Sequence, residues 1–251
     1  MEHAVAIAGW YGARVIPLHV QSSAYATVPA MVGVSGPADV PEETQIVHGS
    51  SPADAIAGFA AAAKVDLIVM GTHGVTGFQH LILGSVTETV LRKVECPVLT
   101  EPPRAHSTAR LPFRHFLCPT DFSASSLAAL RLACALSEES DARLDVLHVI
   151  DEPDEHALFV ARPYDVHHYR ENYERHFTEH LESVLSPSAR KRRHVRLLIV
   201  HGKVEDQILD AAGDEMDVIA MGVGRGNAPA FGSTVNHVVR NARCPVLTVR
   251  R

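Results

Sequence analysis

The chain has 251 residues, 46% of them apolar, and carries 23 Lys plus Arg against 29 Asp plus Glu. That apolar share can fill a core and excludes general disorder, and the length suits one large domain or two of about 125 residues. The net charge of −6, shared equally by residues 1–110 and the remainder, argues against a nucleic-acid binder that works through bulk charge.

The N-terminus, Met1-Glu2-His3-Ala4, has no basic stretch ahead of its apolar residues and does not read as a signal peptide. No apolar run approaches the roughly 18 residues of a membrane helix, so no membrane contact is expected. Cys96, Cys118, Cys134 and Cys244 lack CxxC spacing and read as small buried hydrophobes in a reducing cytosol. The expected location is cytoplasmic.

Taken in order, the elements repeat. Leu18-His19-Val20 recurs as Leu147-His148-Val149, and His48-Gly49 as His201-Gly202, each of the latter followed by a helical stretch. Asp66–Gly71 recurs as Asp217–Gly222, Gly84-Ser85 as Gly232-Ser233, and Cys96–Thr100 as Cys244–Thr248. Five matches in the same order indicate a tandem duplication. The division is a first domain over 1–104, a linker over 105–112 and a second domain over 113–251.

The second repeat is the fuller one. Phe116-Leu117-Cys118 forms a strand that ends in the polar turn Pro119–Ser123, and Ser125 or Ser126 caps the helix carrying Leu127, Leu130 and Cys134. A strand over 144–149 follows, then a helix-like region over 165–185 and a strand over 195–200. The chain closes with a helix over 204–212, strand 218–221, helix 233–242 and strand 246–249. Short apolar strands alternating with helices predict a parallel sheet covered on both faces, an open, doubly wound α/β fold.

The first repeat is reduced. Aligning His19 on His148 sets Met1 opposite Leu130, so the chain enters midway through the first helix and has no counterpart of the first strand. Val20 to Val47 spans 27 residues where Val149 to Val200 spans 51, so most of the second helix is missing and 21–44 reads as a loop. A missing central strand would leave its neighbours with unpaired backbone groups at about 1–3 kcal/mol each. The expectation is therefore that the natural chain begins upstream of Met1.

Gly71-Thr72-His73-Gly74 follows a strand, and Gly84-Ser85 opens a helix. Glycines let backbone approach an anion and supply unusual dihedrals, and a helix N-terminus offers free N–H groups, so this is a phosphate-binding pattern or a glycine-rich loop that binds nothing. It lacks the Gly-Lys-Ser/Thr of a Walker A loop. His176 and His180, with His167 and His168 upstream, suit a zinc pair or a polar helix face, and Arg190–Arg193 reads as a solvated turn. With no catalytic constellation, an enzyme is not expected.

The spacing Gly71-x2-Gly74-x9-Gly84-Ser85 resembles the Gly-x2-Gly-x9-Gly-Ser/Thr pattern of the universal stress protein family. Pro119–Ser123, Leu147–Val149 and the two Cys-Pro-Val-Leu-Thr stretches are similar to the same family. The resemblance implies two tandem adenine nucleotide alpha hydrolase-like domains. Each has strand order 3-2-1-4-5, and they pair through their last strands. It further implies ATP, with or without Mg, as ligand. Thr120 and Asp121 would lie on the ribose or metal side, Val20 and Val149 at the adenine, and Gly71, His73, Gly74, Gly84 and Ser85 at the phosphates.

Two departures qualify the resemblance. The first repeat has the glycine pattern but no counterpart of Asp121. The second has Asp121, but its loop from Gly222 through Gly224 to Gly232 and Ser233 is three residues shorter, with Arg225 near the second glycine. The leading expectation is a stress-response regulator that binds ATP, pairs its repeats within the chain, and leaves room for a homodimer or another protein partner. The alternatives are a non-nucleotide interaction protein with relic sites and, third, a slow nucleotide hydrolase.

Overall fold

The computed structural model describes residues 2–21, 44–72, 83–102, 111–151, 175, 177–181, 183, 194–224 and 232–250. The expected linker (in large part), the loop over 22–43, His73, Gly74, Arg225, His167, His168, His176 and Arg190–Arg193 lie outside them.

In chain order the first repeat forms α1 (Glu2–Tyr11), β1 (Leu18–Gln21), β2 (Gln45–His48), α2 (Pro52–Ala63), β3 (Ile68–Gly71), α3 (Ser85–Lys93) and β4 (Val98–Glu101). The second forms β5 (His115–Pro119), α4 (Ala124–Ser140), β6 (Arg143–Ile150), β7 (Val195–His201), α5 (Val204–Ala212), β8 (Val218–Val223), α6 (Ser233–Asn241) and β9 (Val246–Arg250). A further helical stretch includes residues 177–181.

Seven strands form one sheet in the order β3-β4-β9-β8-β5-β6-β7, and β1-β2 form a second, two-stranded sheet. Within the second repeat this is the expected order, 3-2-1-4-5, with every pair parallel. The repeats meet where β4 and β9 run antiparallel, Leu99 opposite Leu247. Thr100 Oγ1 donates to Val246 O and Thr248 Oγ1 donates to Val98 O, both at 3.1 Å, so the contact is reciprocal. Each copy of Cys-Pro-Val-Leu-Thr thus binds the other.

The described strands of the first repeat are split between the two sheets. β1 keeps its parallel partner β2, and β3 keeps β4, but among the described residues no strand joins β1 to β3. α1 corresponds to the second half of α4: Gly12, at φ +60°, ends it as Asp141, at φ 50°, ends α4. Both are left-handed C-terminal positions.

Side chains alternate along each strand to fill a core on either face. Leu117, Leu147, Ile219 and Val246 meet α5, α6 and α3 through Ile208, Val238 and Val90. Phe116, Val146, Ala220 and Leu247 meet α4 and the 177–181 helix through Leu130, Ala133, Phe177 and Leu181. All four cysteines are free; Cys118 and Cys244 are buried and Cys96 and Cys134 half-buried.

Read as a continuous apolar run, 144–149 hides a charge. Asp145 is buried and accepts from Arg196 Nε at 3.1 Å and Nη2 at 2.6 Å, with His115 Nε2 at 3.2 Å. The network pays for a carboxylate that could not otherwise stay inside a sheet. It lies toward the N-terminal ends of β5, β6 and β7, away from the ligand crevice such folds form at strand C-termini. Among the described residues, no helix is long and apolar enough to cross a membrane.

Candidate functional site

In the first repeat, two hydrogen bonds close the ends of the glycine loop. Gly84 N–H donates to Thr72 O at 2.9 Å, and Thr87 Oγ1 donates to Gly71 O at 3.0 Å. Thr72 is itself buried, and its N–H and hydroxyl both donate to Glu101 O, at 3.0 and 3.3 Å. The start of α3 is therefore held at the C-terminal end of β3. No side chain caps the helix at Gly84, which leaves first-turn N–H groups and the exposed Ser85 hydroxyl available to an anion.

The glycine at 84 does not serve the conformational purpose expected of it. Its φ of −57° and ψ of 133° are open to any residue, and Gly232 in the second repeat is likewise at negative φ, −30°. What glycine supplies here is the absence of a side chain at a helix start. Beside this loop, Glu101 stands at the register position of Gly71. Burial would raise its carboxyl, but the contact with His3, Nδ1 at 3.2 Å, and the positive charge of the N-terminus together outweigh this and hold it below the usual range.

The second repeat builds a separate partial site around the turn after β5, at the opposite edge of the sheet because β4 and β9 run antiparallel. His148 Nδ1 donates to Thr120 O at 2.8 Å, and Phe122 N–H donates to Thr120 Oγ1 at 3.2 Å. Asp121 Oδ1 accepts from Ser123 N–H at 2.9 Å. Burial would raise the Asp121 carboxyl, but hydrogen bonding to Ser123 and Ser126 prevails and lowers it. It is thus a charged acceptor, suited to hydroxyl donors rather than to abstracting a proton.

Ser123, not Ser125 or Ser126, caps α4: its hydroxyl accepts from Ser126 N–H at 3.2 Å. The side chain three residues ahead of the donor has the reach that a residue inside the first turn lacks. Phe122 sits at a left-handed φ of 60°, and its ring packs against Phe177 at 4.8 Å and His180 at 4.6 Å. His148 stacks on Phe177 at 4.2 Å. These contacts hold a turn that non-glycine residues seldom adopt. His180 packs edge-on to the Phe122 ring, while His176, the other member of the candidate zinc pair, lies outside the described residues.

β8 passes very close to this turn. A Cβ on Gly222 would lie 2.2 Å from Ser125 C and 2.4 Å from Ser126 N, whereas one on Gly224 would meet only Ser125 Oγ at 3.8 Å. Thr120, Asp121, Gly222 and Gly224 are thereby brought to the C-terminal ends of the neighbouring strands β5 and β8, beside the first turn of α4. Gly232 and Ser233 open α6 without a side-chain cap. Val149 is half-buried on β6 opposite Val200, and Val20 half-buried on β1 opposite Val47. Val20 and Gly71 stand on different sheets. Phe122 and His148 shape this site without any motif marking them for that role; the twice-occurring Leu-His-Val is the one sequence signal for the histidine.

Comparison with known proteins agrees with this architecture. The model of the Universal stress protein family matches residues 36–100 and 112–250. A universal stress protein of Methanocaldococcus jannaschii is 50% identical over 56 residues, which are 22% of this chain and 32% of that protein. The chain thus spans about a third of that relative's length, and under half that of three further curated relatives. Among solved structures, a universal stress protein from Archaeoglobus fulgidus superposes with TM-score 0.56 at 22% identity, over 85% of this chain and 71% of its own. A functionally unknown protein from Pseudomonas aeruginosa PAO1 does so with TM-score 0.67 at 17% identity, over 99% and 86%. At these identities the structures speak for the fold, and the family match over most of the length speaks for kinship: the chain belongs to the universal stress protein family.

Proposed function

We propose that this chain is a cytoplasmic regulatory protein that binds an adenine nucleotide, ATP, without rapid turnover. The observation that carries the reading is the uncapped N-terminus of α3, tied to the end of β3 through Gly84–Thr72 and Thr87–Gly71. A helix start fixed at a strand C-terminus offers N–H donors and a positive dipole end to phosphate oxygens. Gly71, Gly84 and Ser85 would hold the phosphates, with His73 and Gly74 completing the loop. A nucleotide in the second repeat would be a separate one, with Asp121 accepting from ribose hydroxyls and Val149 meeting the base through its backbone, because the antiparallel β4 and β9 set the two repeats' strand ends at opposite edges of the sheet.

Thermal unfolding with and without Mg-ATP, with GTP as control, tests this. Nucleotide at a hundred times its dissociation constant stabilises by about 2.7 kcal/mol, a rise of roughly 5–10 °C for a chain of this size. Because Val fits the dihedrals of Gly84, Gly84→Val should leave the free chain's midpoint in place and weaken ATP at least about tenfold by crowding the helix start. Unchanged affinity would remove the first-repeat site.

One observation favours a second reading. The halves of the first-repeat site stand on separate sheets. An interaction protein with relic sites is the function that arrangement supports, and a cooperative unfolding transition unmoved by ATP is its signature.

A further inference from the structure

We propose that His148 is a positioning residue of the second-repeat site: its imidazole fixes the backbone that aims Asp121, and so makes that site select nucleotides that carry ribose hydroxyls over those that lack them. The inference rests on the nucleotide reading above and concerns the second repeat alone.

The peptide leading into Asp121 is held from two neighbouring elements. The pairing of β5 with β6 ends at Pro119 opposite Leu147. One residue on, Thr120 N–H still donates to Leu147 O at 2.8 Å, and Thr120 O takes the His148 Nδ1–H, also at 2.8 Å. Thr120 Oγ1 accepts from Phe122 N–H at 3.2 Å and meets Ser126 Oγ of α4 at 3.2 Å. Thr120 and His148 are buried, whereas Asp121 between Thr120 and Phe122 is exposed. A buried clamp thus carries an exposed carboxylate.

The carbonyl that His148 holds belongs to the peptide plane joining Thr120 to Asp121, so fixing it fixes the direction in which Asp121 leaves the backbone. On the other side, Phe122 keeps its φ of 60° only because its surroundings impose it. The His148 ring is part of those surroundings: it stacks on Phe177, which packs on Phe122, and lies 5.8 Å from the Phe122 ring itself. One side chain therefore acts on both neighbours of Asp121, through its N–H before and through its ring face after.

Direction matters because of what Asp121 would bind. Ribose hydroxyls are donors at a fixed separation, so a carboxylate accepts from them well only when it is aimed. Ser123 N–H already occupies Oδ1 at 2.9 Å, which sets one end of the group while the backbone sets the other. An unaimed carboxylate would lose its advantage with a ribose and lose nothing with a sugar that has no hydroxyls to offer. Preference between the two sugars is therefore a readout of aim, separate from stability.

The test uses the whole chain carrying Gly84→Val, which crowds the first-repeat helix start, as parent. Calorimetric titration measures the affinities for Mg-ATP and for Mg-2′,3′-dideoxy-ATP. His148→Leu keeps apolar bulk against Phe177 and removes the N–H, whereas His148→Asn gives up the ring and keeps a donor in place of Nδ1–H. The parent should favour ATP at least about tenfold. His148→Leu should bring the two affinities within about twofold by weakening ATP alone, and His148→Asn should restore the parent's preference. The proposal is overturned if His148→Leu keeps the tenfold preference, or if His148→Asn loses it as His148→Leu does. A parent that binds both nucleotides equally removes the ribose contact and the proposal with it; a parent that binds neither removes the second-repeat site as well. Should His148→Leu fail to melt cooperatively, nitrogen-15 NMR of the parent decides: a neutral His148 ring with its proton on Nδ1 upholds the clamp, and one with its proton on Nε2 overturns it.

Discussion

Gly222→Ala tests the joint between the sheet and the candidate site. The added Cβ would stand 2.2 Å from Ser125 C, 2.3 Å from Ser125 O and 2.4 Å from Ser126 N. Carbon contacts settle near 3.5–4.0 Å, so the first turn of α4 must retreat by about 1 Å or more, and the atoms in the way are backbone that cannot swing aside. Retreat strains three contacts: Thr120 Oγ1 to Ser126 Oγ at 3.2 Å, Ser126 N–H to Ser123 Oγ at 3.2 Å, and Ser123 Oγ to Ser125 Oγ at 3.0 Å. At about 0.5–1.5 kcal/mol for each hydrogen bond, the expected loss is about 2–4 kcal/mol. Differential scanning calorimetry should then show a midpoint lower by roughly 5–15 °C. Gly224→Ala is the internal control: its Cβ would meet Ser125 Oγ at 3.8 Å, an ordinary contact, so its midpoint should scarcely move. Equal midpoints for the two variants would refute the close approach of β8 to α4.

Three further outcomes follow from the described contacts. Arg196→Ala should destabilise more than Asp145→Ala, because it strips its main partner from a carboxylate that is 3% exposed, whereas Asp145→Ala leaves an arginine that is already 65% exposed to water; urea denaturation showing the reverse order would rule out a buried carboxylate as the centre of that network. Asp121 is lowered in the folded chain, so its stabilising contribution is whole above the ordinary carboxylate value near pH 4 and is lost as pH falls through the lower folded value. The midpoint difference between the parent chain and Asp121→Asn should therefore be flat from about pH 5 to 7 and shrink below about pH 4; a difference that grows on acidification would reverse the assigned direction. Burial pushes the thiols of Cys134 and Cys244 up to about 11 and about 12, so iodoacetamide at pH 8 should label Cys118, Cys134 and Cys244 only after unfolding. Rapid labelling of native Cys244 would contradict its place in the core.

Much of this was legible in one dimension because period and duplication are one-dimensional signals. Apart from the helix-like region over 165–185, most of which lies outside the described residues, the bounded strands and helices of the second repeat differ from expectation by one or two residues at most, as for the strand expected at 218–221 and observed as Val218–Val223. The helix ahead of Leu18 was also legible, and α1 with Gly12 at its end is the outcome. The Asp145 network was not, because His115, Asp145 and Arg196 come from three strands that sequence alone does not align. Nor was the cap at Ser123, where three nearby serines compete and only backbone direction decides. At the site, the glycine pattern located the right helix start but misjudged the reason: Gly84 needs no left-handed φ, whereas Gly222 is required by a backbone crossing that spacing cannot show.

The duplication also explains which stretches of the two repeats stayed alike. Cys-Pro-Val-Leu-Thr is identical in both, and it is where the repeats touch, Thr100 bonding to Val246 and Thr248 to Val98. A reciprocal contact places the same residue in the same environment twice, so a change that suits one copy must be matched by its partner. Away from this axis the constraint lapses. Asp145, bound by Arg196 and His115, stands opposite Ile16, and the glycine loops differ by three residues. The joint between β4 and β9 is thus what keeps β3, α3 and the uncapped Gly84 on a seven-stranded sheet while β1 and β2 stand apart. The candidate phosphate site of the reduced repeat takes its rigidity from the complete one.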